Sequence, residues 1–357
     1  MPENNITSKL APSFLPASCI LEMTYKCNHK CIFCSCPWEV NNSMKKKELS
    51  LQEWKDCIKL LTDKGICHIT FTGGEALLNK DLFKIIEFAA SCEVEHIKTK
   101  DEKLISEKKP PSINLISNGT LINKNILAFC KKNNVHLSMS LPGRSTFKLH
   151  TLSGNYKKVL ENFSKAKEMG ISTTVNITVT KKNLFELYET ISEALIAGAN
   201  TLLLNRFLPG GRGLKNPEKL MLSKEEITEM LDTAEEVLKT ANRFGSIGTE
   251  LPKCIVDTSK YSHLKISTRC SAAVNFFVIG PSGFIRTCNH SPVELCHFSE
   301  YESLKSNEYW KRFTQKDYMP AACKDCGIIN ECDGGCREAA HVFSGEINSQ
   351  DPIFIKR

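Results

Sequence analysis

The sequence has no apolar run long enough to cross a membrane and no block of like charges longer than Lys45–Lys47. A membrane-spanning helix needs about 20 mainly apolar residues, so none is expected. The first residues lack the basic segment and apolar stretch of a signal peptide. The net charge of +7 comes from scattered lysines, which does not favour nucleic-acid binding. The chain is therefore expected to be cytoplasmic, with neither a membrane nor a nucleic acid as partner.

Cysteine is absent from residues 131–253 but abundant on both sides of that stretch. Of the 17 cysteines, five lie between Cys19 and Cys36 and eight between Cys254 and Cys336. Disulfides do not persist in a reducing cytoplasm, and an odd count fits a disulfide framework poorly. The two cysteine islands therefore indicate two metal-bearing regions.

Strand and helix patterns alternate between the two islands. Six strands are predicted, over 19–24, 66–72, 113–117, 135–141, 171–180 and 201–207. Helices are predicted over 51–61, 81–90, 123–132, 156–169, 184–197 and 224–242. Strands separated by helices favour an α/β fold with a parallel sheet, whose ligands bind at the carboxyl ends of the strands. Residues 93–111 are predicted to form an insertion or mobile loop, and Pro209–Gly213 a boundary loop.

The first island contains Cys27, Cys31 and Cys34 in the spacing C-x3-C-x2-C, directly after the first strand. Three thiolates in one short loop can converge on an iron–sulfur cluster, which normally takes four ligands. Three protein ligands would leave one iron open to a small molecule. Zinc is the alternative on local evidence, with His29 or Cys36 as the fourth ligand.

This loop resembles the signature of the radical S-adenosylmethionine (SAM) enzymes, in which an aromatic residue such as Phe33 precedes the third cysteine. Gly73, Gly74 and Glu75 resemble the second motif of that family, with Ala76 where proline is usual. The resemblance implies that Cys27, Cys31 and Cys34 hold a [4Fe-4S] cluster. It also implies SAM-binding residues, which in this chain are Gly73, Gly74, Glu75, Ser117, Asn118, Gly119, Ser140 and Asn176.

The second island has the spacing C-x2-C-x5-C-x3-C, preceded by C-x12-G-x4-C. A zinc ribbon would need a second C-x2-C unit. The spacing resembles the SPASM domain, an auxiliary iron–sulfur extension of radical SAM enzymes. Six of its seven cysteines are matched, by Cys270, Cys288, Cys323, Cys326, Cys332 and Cys336. The seventh, which the family commonly places just after an Asp-Pro, is missing, because Ile353 and Phe354 follow Asp351-Pro352 here.

The SPASM resemblance implies one auxiliary cluster on Cys270, Cys288 and Cys336, and a second on Cys323, Cys326 and Cys332. Each set is one ligand short. For the first cluster we expect Cys296 as the fourth ligand, with Cys254 as the alternative. For the second, Asp351, water or a substrate thiolate remain open.

The resemblance implies a partial (β/α)6 TIM-like barrel over 1–212, a linker helix region over 213–249 and a SPASM auxiliary cluster domain over 250–357. It implies an enzyme that uses a 5′-deoxyadenosyl radical to abstract hydrogen from its substrate. No catalytic residue is assigned beyond the SAM cluster.

We expect the substrate to be a small ribosomally made precursor peptide, which is oxidised or crosslinked. The alternatives are an anaerobic sulfatase-type maturase, a small-molecule dehydrogenase and, more remotely, a non-catalytic iron–sulfur electron carrier. The implied cofactors are SAM, its [4Fe-4S] cluster and one or two auxiliary iron–sulfur clusters. A flavodoxin or ferredoxin would supply electrons, and a separate protein could recognise the peptide.

Overall fold

The computed structural model describes residues 14–100 and 103–355. Its strands are β1 Ser18–Glu22, β2 His68–Thr72, β3 Val94–Lys100, β4 Lys103–Lys109, β5 Ser112–Ser117, β6 His136–Ser140, β7 Thr173–Val179, β8 Thr201–Arg206, β9 Gly245–Ile247, β10 Leu264–Lys265, β11 Phe276–Ile279 and β12 Ile285–Arg286. Its α-helices are α1 Leu51–Asp63, α2 Leu82–Ser91, α3 Lys124–Lys132, α4 Phe147–Thr151, α5 Tyr156–Glu168, α6 Leu187–Ala197, α7 Lys224–Thr240, α8 Glu308–Thr314 and α9 Arg337–Ser344.

Ten strands form one sheet in the order β10-β9-β8-β7-β6-β5-β2-β1-β11-β12. All pairings are parallel except that of β11 with β12. The six predicted strands correspond to β1, β2, β5, β6, β7 and β8, which are neighbours in chain order. Helices between them bury apolar faces against the sheet, so the predicted α/β class is confirmed.

Local sequence explains where these helices begin. Ser50 accepts a hydrogen bond from the Glu53 N–H, and the Glu53 carboxylate accepts one from the Ser50 N–H, which completes the predicted capping box. Trp54, Ile58 and Leu61 then lie on one buried face of α1. Ser223 opens α7 in the same way.

The C-terminal region continues the barrel sheet. β11 pairs in parallel with β1, while β9 and β10 extend the other side beyond β8. Arg286 of β12 donates to the Glu22 carboxylate of β1, and both side chains are buried. One hydrophobic core contains residues from all three predicted segments, from Leu15 to Ile347. The domain boundaries at residues 212 and 249 remain predictions from the sequence.

The segment predicted as an insertion or mobile loop is largely a β-hairpin. β3 and β4 pair antiparallel in a separate two-stranded sheet. The hairpin follows α2 and leads into β5, so it lies in the crossover between two barrel strands. The segment is therefore an insertion, as predicted, but it forms paired strands and not a loop. Composition alone did not separate the two, because a charged, alternating sequence suits a solvated pair of strands as well as a loop.

Within residues 14–100 and 103–355, no helix is long and apolar enough to cross a membrane.

Candidate active site

The loop carrying the first cysteine island is anchored to the short helix α4. The Lys30 N–H donates to the Thr151 carbonyl at 3.1 Å, and the Ile32 N–H donates to the His150 carbonyl at 2.9 Å. These bonds fold the loop over the carboxyl end of the sheet. As a result, Cys27, Cys31 and Cys34 all line one cavity of about 560 Å³.

The thiols of this loop have different electrostatic surroundings. Burial raises the pKa of Cys27 to about 11, although the His29 N–H points at its sulfur at 3.4 Å. Cys34 has a lowered pKa, chiefly because the Cys36 thiol donates a hydrogen bond to it. Cys36 is therefore a supporting residue for Cys34. The structure gives His29 another neighbour, since its Nε2 lies 3.5 Å from the Thr120 hydroxyl.

A glycine-rich loop over Pro209–Gly213 packs directly on the first cysteine island. The Gly213 N–H donates to the Cys34 carbonyl at 3.2 Å, and Arg212 donates to the Cys31 carbonyl at 3.0 Å and to Glu39. Gly211 has a φ of +45° and leaves no room for a Cβ between the Cys34 and Cys36 carbonyls. The sequence predicted only a boundary loop over Pro209–Gly213. Its close approach places the Arg212 guanidinium beside Cys27, Cys31 and Cys34.

The Gly73-Gly74-Glu75 turn is held against the end of β1. The Gly74 N–H donates to the Thr24 carbonyl and the Glu75 N–H to the Lys26 carbonyl, each at 2.8 Å. A Cβ on Gly73 would lie 2.8 Å from the Thr24 oxygen, and one on Gly74 would collide with the Lys26 carbonyl. Both glycines are therefore required by the approach of two backbones as well as by any ligand.

Glu75 connects the end of β2 to the end of β5. Its carboxylate accepts bonds from the Ser117 hydroxyl at 2.9 Å, the Asn118 N–H at 2.8 Å and the Leu77 N–H at 3.2 Å. The side chain is only 2% exposed, and burial raises its pKa despite these donors. One oxygen accepts a single bond, so it retains capacity for a further donor in the cavity.

The remaining predicted SAM contacts divide into two kinds. Ser117, Asn118 and Ser140 line the cavity at the ends of β5 and β6, and Asn176 lines it from the middle of β7. Gly119 is not part of the lining. It has a φ of +77°, and its N–H donates to the Ser117 hydroxyl at 3.1 Å, so it shapes the turn.

Three cysteines of the second island line the same cavity as the first island. We call Cys270, Cys288 and Cys336 the inner cysteine group. All three residues are at most 7% exposed. Burial raises the pKa values of their thiols, and the pKa of Cys336 reaches about 12. Charge on other members of the group also raises the pKa of Cys270 and of Cys288, so these thiols lie near one another.

Carboxylates accompany the inner cysteine group. Negative charge on Glu250, which is half-buried and lines the cavity, contributes to the raised pKa of each of the three thiols, and for Cys288 the charge on buried Glu338 contributes more. Asp351 accepts the Cys336 N–H at 2.8 Å and forms an ion pair with Arg206 at 2.5 Å. It also accepts the Ile353 N–H at 3.0 Å. Asp351 thus fastens the C-terminal tail to β8.

The other predicted auxiliary ligands form a separate group outside the cavity. We call Cys323, Cys326 and Cys332 the outer cysteine group. They lie on turns between α8 and α9, and none of them lines the cavity. Cys323 and Cys326 are half-buried, whereas Cys332 is buried. Two separate groups are consistent with two auxiliary clusters.

Two predicted fourth ligands have other surroundings in the structure. Cys296 is absent from the cavity lining, and its thiol faces Ser303 and Glu300 rather than the inner cysteine group. The choice of Cys296 for the first auxiliary cluster therefore finds no support in this geometry. Asp351 is bound to Arg206 and to the inner group, so its carboxylate is not directed at the outer group. Cys296 stays a prediction from spacing, and Asp351 stays one of the alternatives that the sequence left open.

The donor chemistry of these three cysteine groups fits iron–sulfur clusters. All 17 cysteines are free thiols, and thiolates are the usual ligands of such clusters. Among the residues that the structure describes, no three histidine, cysteine or acidic side chains are arranged to hold a single metal ion. A four-iron cluster binds each thiolate at a different iron, so its ligands are spread more widely.

Comparison with known proteins identifies the class of the barrel. Residues 21–194 match the model of the Radical SAM superfamily, so this part of the chain is a radical SAM domain. The chain is a radical SAM enzyme, as the sequence predicted. The match to this family supports SAM and an iron–sulfur cluster as the cofactors of the domain.

Curated relatives extend the similarity beyond the barrel. The PqqA peptide cyclase of Bradyrhizobium diazoefficiens is 25% identical over 354 residues, which cover 95% of this chain and 86% of that protein. The PqqA peptide cyclase of Rhodopseudomonas palustris is also 25% identical, over 352 residues with the same coverage. The alignments therefore include the second cysteine island.

Solved structures share the fold. Streptococcus suis SuiB bound to S-adenosylmethionine has a TM-score of 0.70 and 13% identity, covering 95% of this chain and 77% of SuiB. Native anSMEcpe with bound AdoMet has a TM-score of 0.68 and 17% identity, covering 94% of this chain and 93% of that protein. At these identities the likeness concerns the fold alone, and it supports the fold assigned above.

Proposed function

We propose that this radical SAM enzyme matures a peptide by forming a crosslink within it. The observation that carries the proposal is one cavity lined both by the first cysteine island and by the inner cysteine group. The relatives named as PqqA peptide cyclases support a peptide substrate, as does the fold shared with SuiB, which has been solved with its precursor peptide SuiA.

Cys27, Cys31 and Cys34 would hold the SAM cluster, and the ends of β2, β5, β6 and β7 would bind SAM. The bound cluster and SAM together supply hydrogen-atom abstraction. Glu75 would accept a donor of SAM through its less occupied oxygen, while Ser117 and Asn118 keep that carboxylate in place. Arg212 adds positive charge beside the thiolates and fixes the loop that carries them.

A crosslink removes two hydrogens from the peptide: one leaves as an atom, the other as a proton and an electron. That electron needs an acceptor near the cavity. Cys270, Cys288 and Cys336 would hold such an acceptor, because their thiols line the cavity. A cavity of about 560 Å³ suits SAM and a short stretch of peptide better than a folded domain.

The outer cysteine group would hold a second auxiliary cluster and pass electrons towards a partner. We infer that a flavodoxin or ferredoxin supplies the reducing electron and that a separate protein can present the peptide. The large number of free thiols favours the cytoplasm as the place of action.

The proposal is tested with anaerobically reconstituted enzyme, SAM, a reductant and a candidate peptide encoded beside this chain. We expect formation of 5′-deoxyadenosine, and a peptide lighter by two hydrogens whose tandem mass spectrum lacks fragments between the joined residues. The Cys27→Ala, Cys31→Ala, Cys34→Ala triple variant is the control and should form neither product. A peptide that loses two hydrogens but fragments normally would contradict crosslinking. A shift only in a small molecule would contradict the peptide substrate.

A further inference from the structure

The outer cysteine group lacks a fourth ligand in the part of the chain where one was expected. Cys323, Cys326 and Cys332 supply three thiolates, but no cysteine follows Cys336. The Asp351 carboxylate is already bound to Arg206 and the Cys336 N–H. Among the residues that the structure describes, a fourth protein ligand would therefore come from another part of the fold.

The turn that carries Cys254 is packed against the outer cysteine group. It spans Lys253–Ile255 and lies well before the group in sequence. The Lys253 N–H points at the Cys332 sulfur at 3.3 Å, and the Lys253 ammonium pairs with Glu331. The backbone next to Cys254 is thus held directly on one of the three thiols.

Further hydrogen bonds fix the segment around Cys332. The Thr268 hydroxyl donates to the Glu331 carbonyl at 2.6 Å, and the Asp333 N–H donates to the Thr268 carbonyl at 3.0 Å. The Gly334 N–H also points at the Cys332 sulfur at 3.3 Å. Two backbone N–H groups directed at one sulfur are suited to a ligating thiolate, which is a hydrogen-bond acceptor.

The charges around Cys254 place its side chain with the same group. Burial raises its pKa, and the next largest contribution comes from charge on Cys332, with Cys326 also contributing. Conversely, Cys254 is among the charges that raise the pKa of Cys323. Each of these thiols therefore lies within electrostatic reach of others in the set, whereas Cys296 faces Ser303 and Glu300.

We propose that Cys254 is the fourth ligand of the auxiliary cluster held by Cys323, Cys326 and Cys332. It takes the place of the missing C-terminal cysteine from the opposite side of the cluster. With four thiolates the cluster has no open iron, so it transfers electrons and does not bind a substrate thiolate. The inference depends on the proposed auxiliary cluster and is independent of the peptide.

Alkylation tests the proposal without turnover. Cys254 is exposed, so iodoacetamide should modify it rapidly in the cluster-free protein. In the fully reconstituted enzyme we expect peptide mapping to show at least about tenfold slower modification, because an iron-bound sulfur is not free to react. Equal rates in the two forms, with Cys323 protected only in the reconstituted form, would overturn the proposal.

Substitution gives the second test. Cys254→Ala should lose up to about four iron atoms per chain, or convert one auxiliary cluster to a three-iron form visible by electron paramagnetic resonance and Mössbauer spectroscopy. Cys296→Ala is the matched control and should keep the wild-type iron content and spectra. Unchanged iron and spectra in Cys254→Ala would overturn the proposal. If that variant aggregates, Cys254→Ser replaces it, with the intact SAM-cluster spectrum as evidence of folding.

Neither readout requires a peptide or SAM cleavage. An enzyme that binds four-thiolate auxiliary iron but modifies no peptide would contradict the proposed function and leave the Cys254 assignment standing. If a Cys254→Ala variant crosslinks the peptide and keeps the full wild-type iron content, the Cys254 assignment is contradicted and the proposed function stands.

Discussion

The inner and outer cysteine groups come from one short C-terminal region but lie in different surroundings. The inner group, Cys270, Cys288 and Cys336, is buried and lines the cavity shared with the SAM site. The outer group has two half-buried members and lies away from that cavity. In the proposed function, this difference is the reason for placing the inner group beside the substrate and giving electron exchange with a partner to the outer group.

The two groups are also attached to the rest of the protein differently. Asp351 links the inner group to Arg206 of β8 through an ion pair whose side chains are almost fully buried. Lys253 and Glu331 link the outer group to the turn beside Cys254 through a pair open to solvent. Buried pairs are costly to break, whereas exposed pairs contribute little. The following three predictions test this comparison.

Replacing Asp351 with Asn should have the largest effect. The change leaves the buried, charged Arg206 guanidinium without its carboxylate partner. This loss costs about 3–5 kcal/mol of unfolding free energy. Anaerobic urea denaturation of the reconstituted enzyme measures this cost. Asp63→Asn is the matched control, since Asp63 pairs with Lys59 at the surface. A loss for Asp351→Asn no greater than for Asp63→Asn would refute the anchoring role of the buried pair.

Removing one cysteine from each group should separate their roles. Cys288→Ala should lower peptide crosslinking by about 100-fold while 5′-deoxyadenosine still forms, because the acceptor beside the cavity is lost. Cys326→Ala should lower crosslinking by only about tenfold, since another electron acceptor can take the place of a lost outer relay. Product yields per 5′-deoxyadenosine formed, measured by mass spectrometry, check both values. Equal losses in the two variants would erase the proposed distinction.

Replacing Lys253 with Ala should have the smallest effect. The exposed pair with Glu331 is worth at most about 1 kcal/mol, and the backbone N–H that faces Cys332 remains in the variant. Iron content should therefore match wild type, and the unfolding free energy should change by less than about 1 kcal/mol. Iron analysis and denaturation measure these quantities. A variant that lost the outer cluster would mean that the side chain, and not the backbone, holds this turn in place.

The sequence predicted the barrel well because its signals are local. Alternating apolar residues placed all six strands, and Ser50 with Glu53 correctly placed the start of α1. The pairing of β11 with β1 had no such signal. β11 is four residues long and lies far from β1 in sequence, so only the folded chain reveals that they are neighbours.

The candidate site was predictable to the same extent. Motifs within one loop identified Cys27, Cys31 and Cys34, and the structure places all three on one cavity. Arg212 was not identified, and Cys254 was considered only as the alternative ligand of the first auxiliary cluster, because each reaches its group through a tertiary contact that spacing does not encode. Extrapolation from spacing instead favoured Cys296, which is near Cys288 in sequence but faces other residues.

The parallel pairing of β1 with β11 has a consequence for biosynthesis. About 250 residues separate the two strands, and at roughly 5–20 residues per second the ribosome needs about 10–50 s to make them. During that interval one edge of β1 is unpaired, and the Pro209–Gly213 loop that later packs on Cys34 has still to be made. We therefore expect the thiols of the first island to be accessible to cofactor delivery until that loop is made. Pairing with β11 then closes this edge of β1.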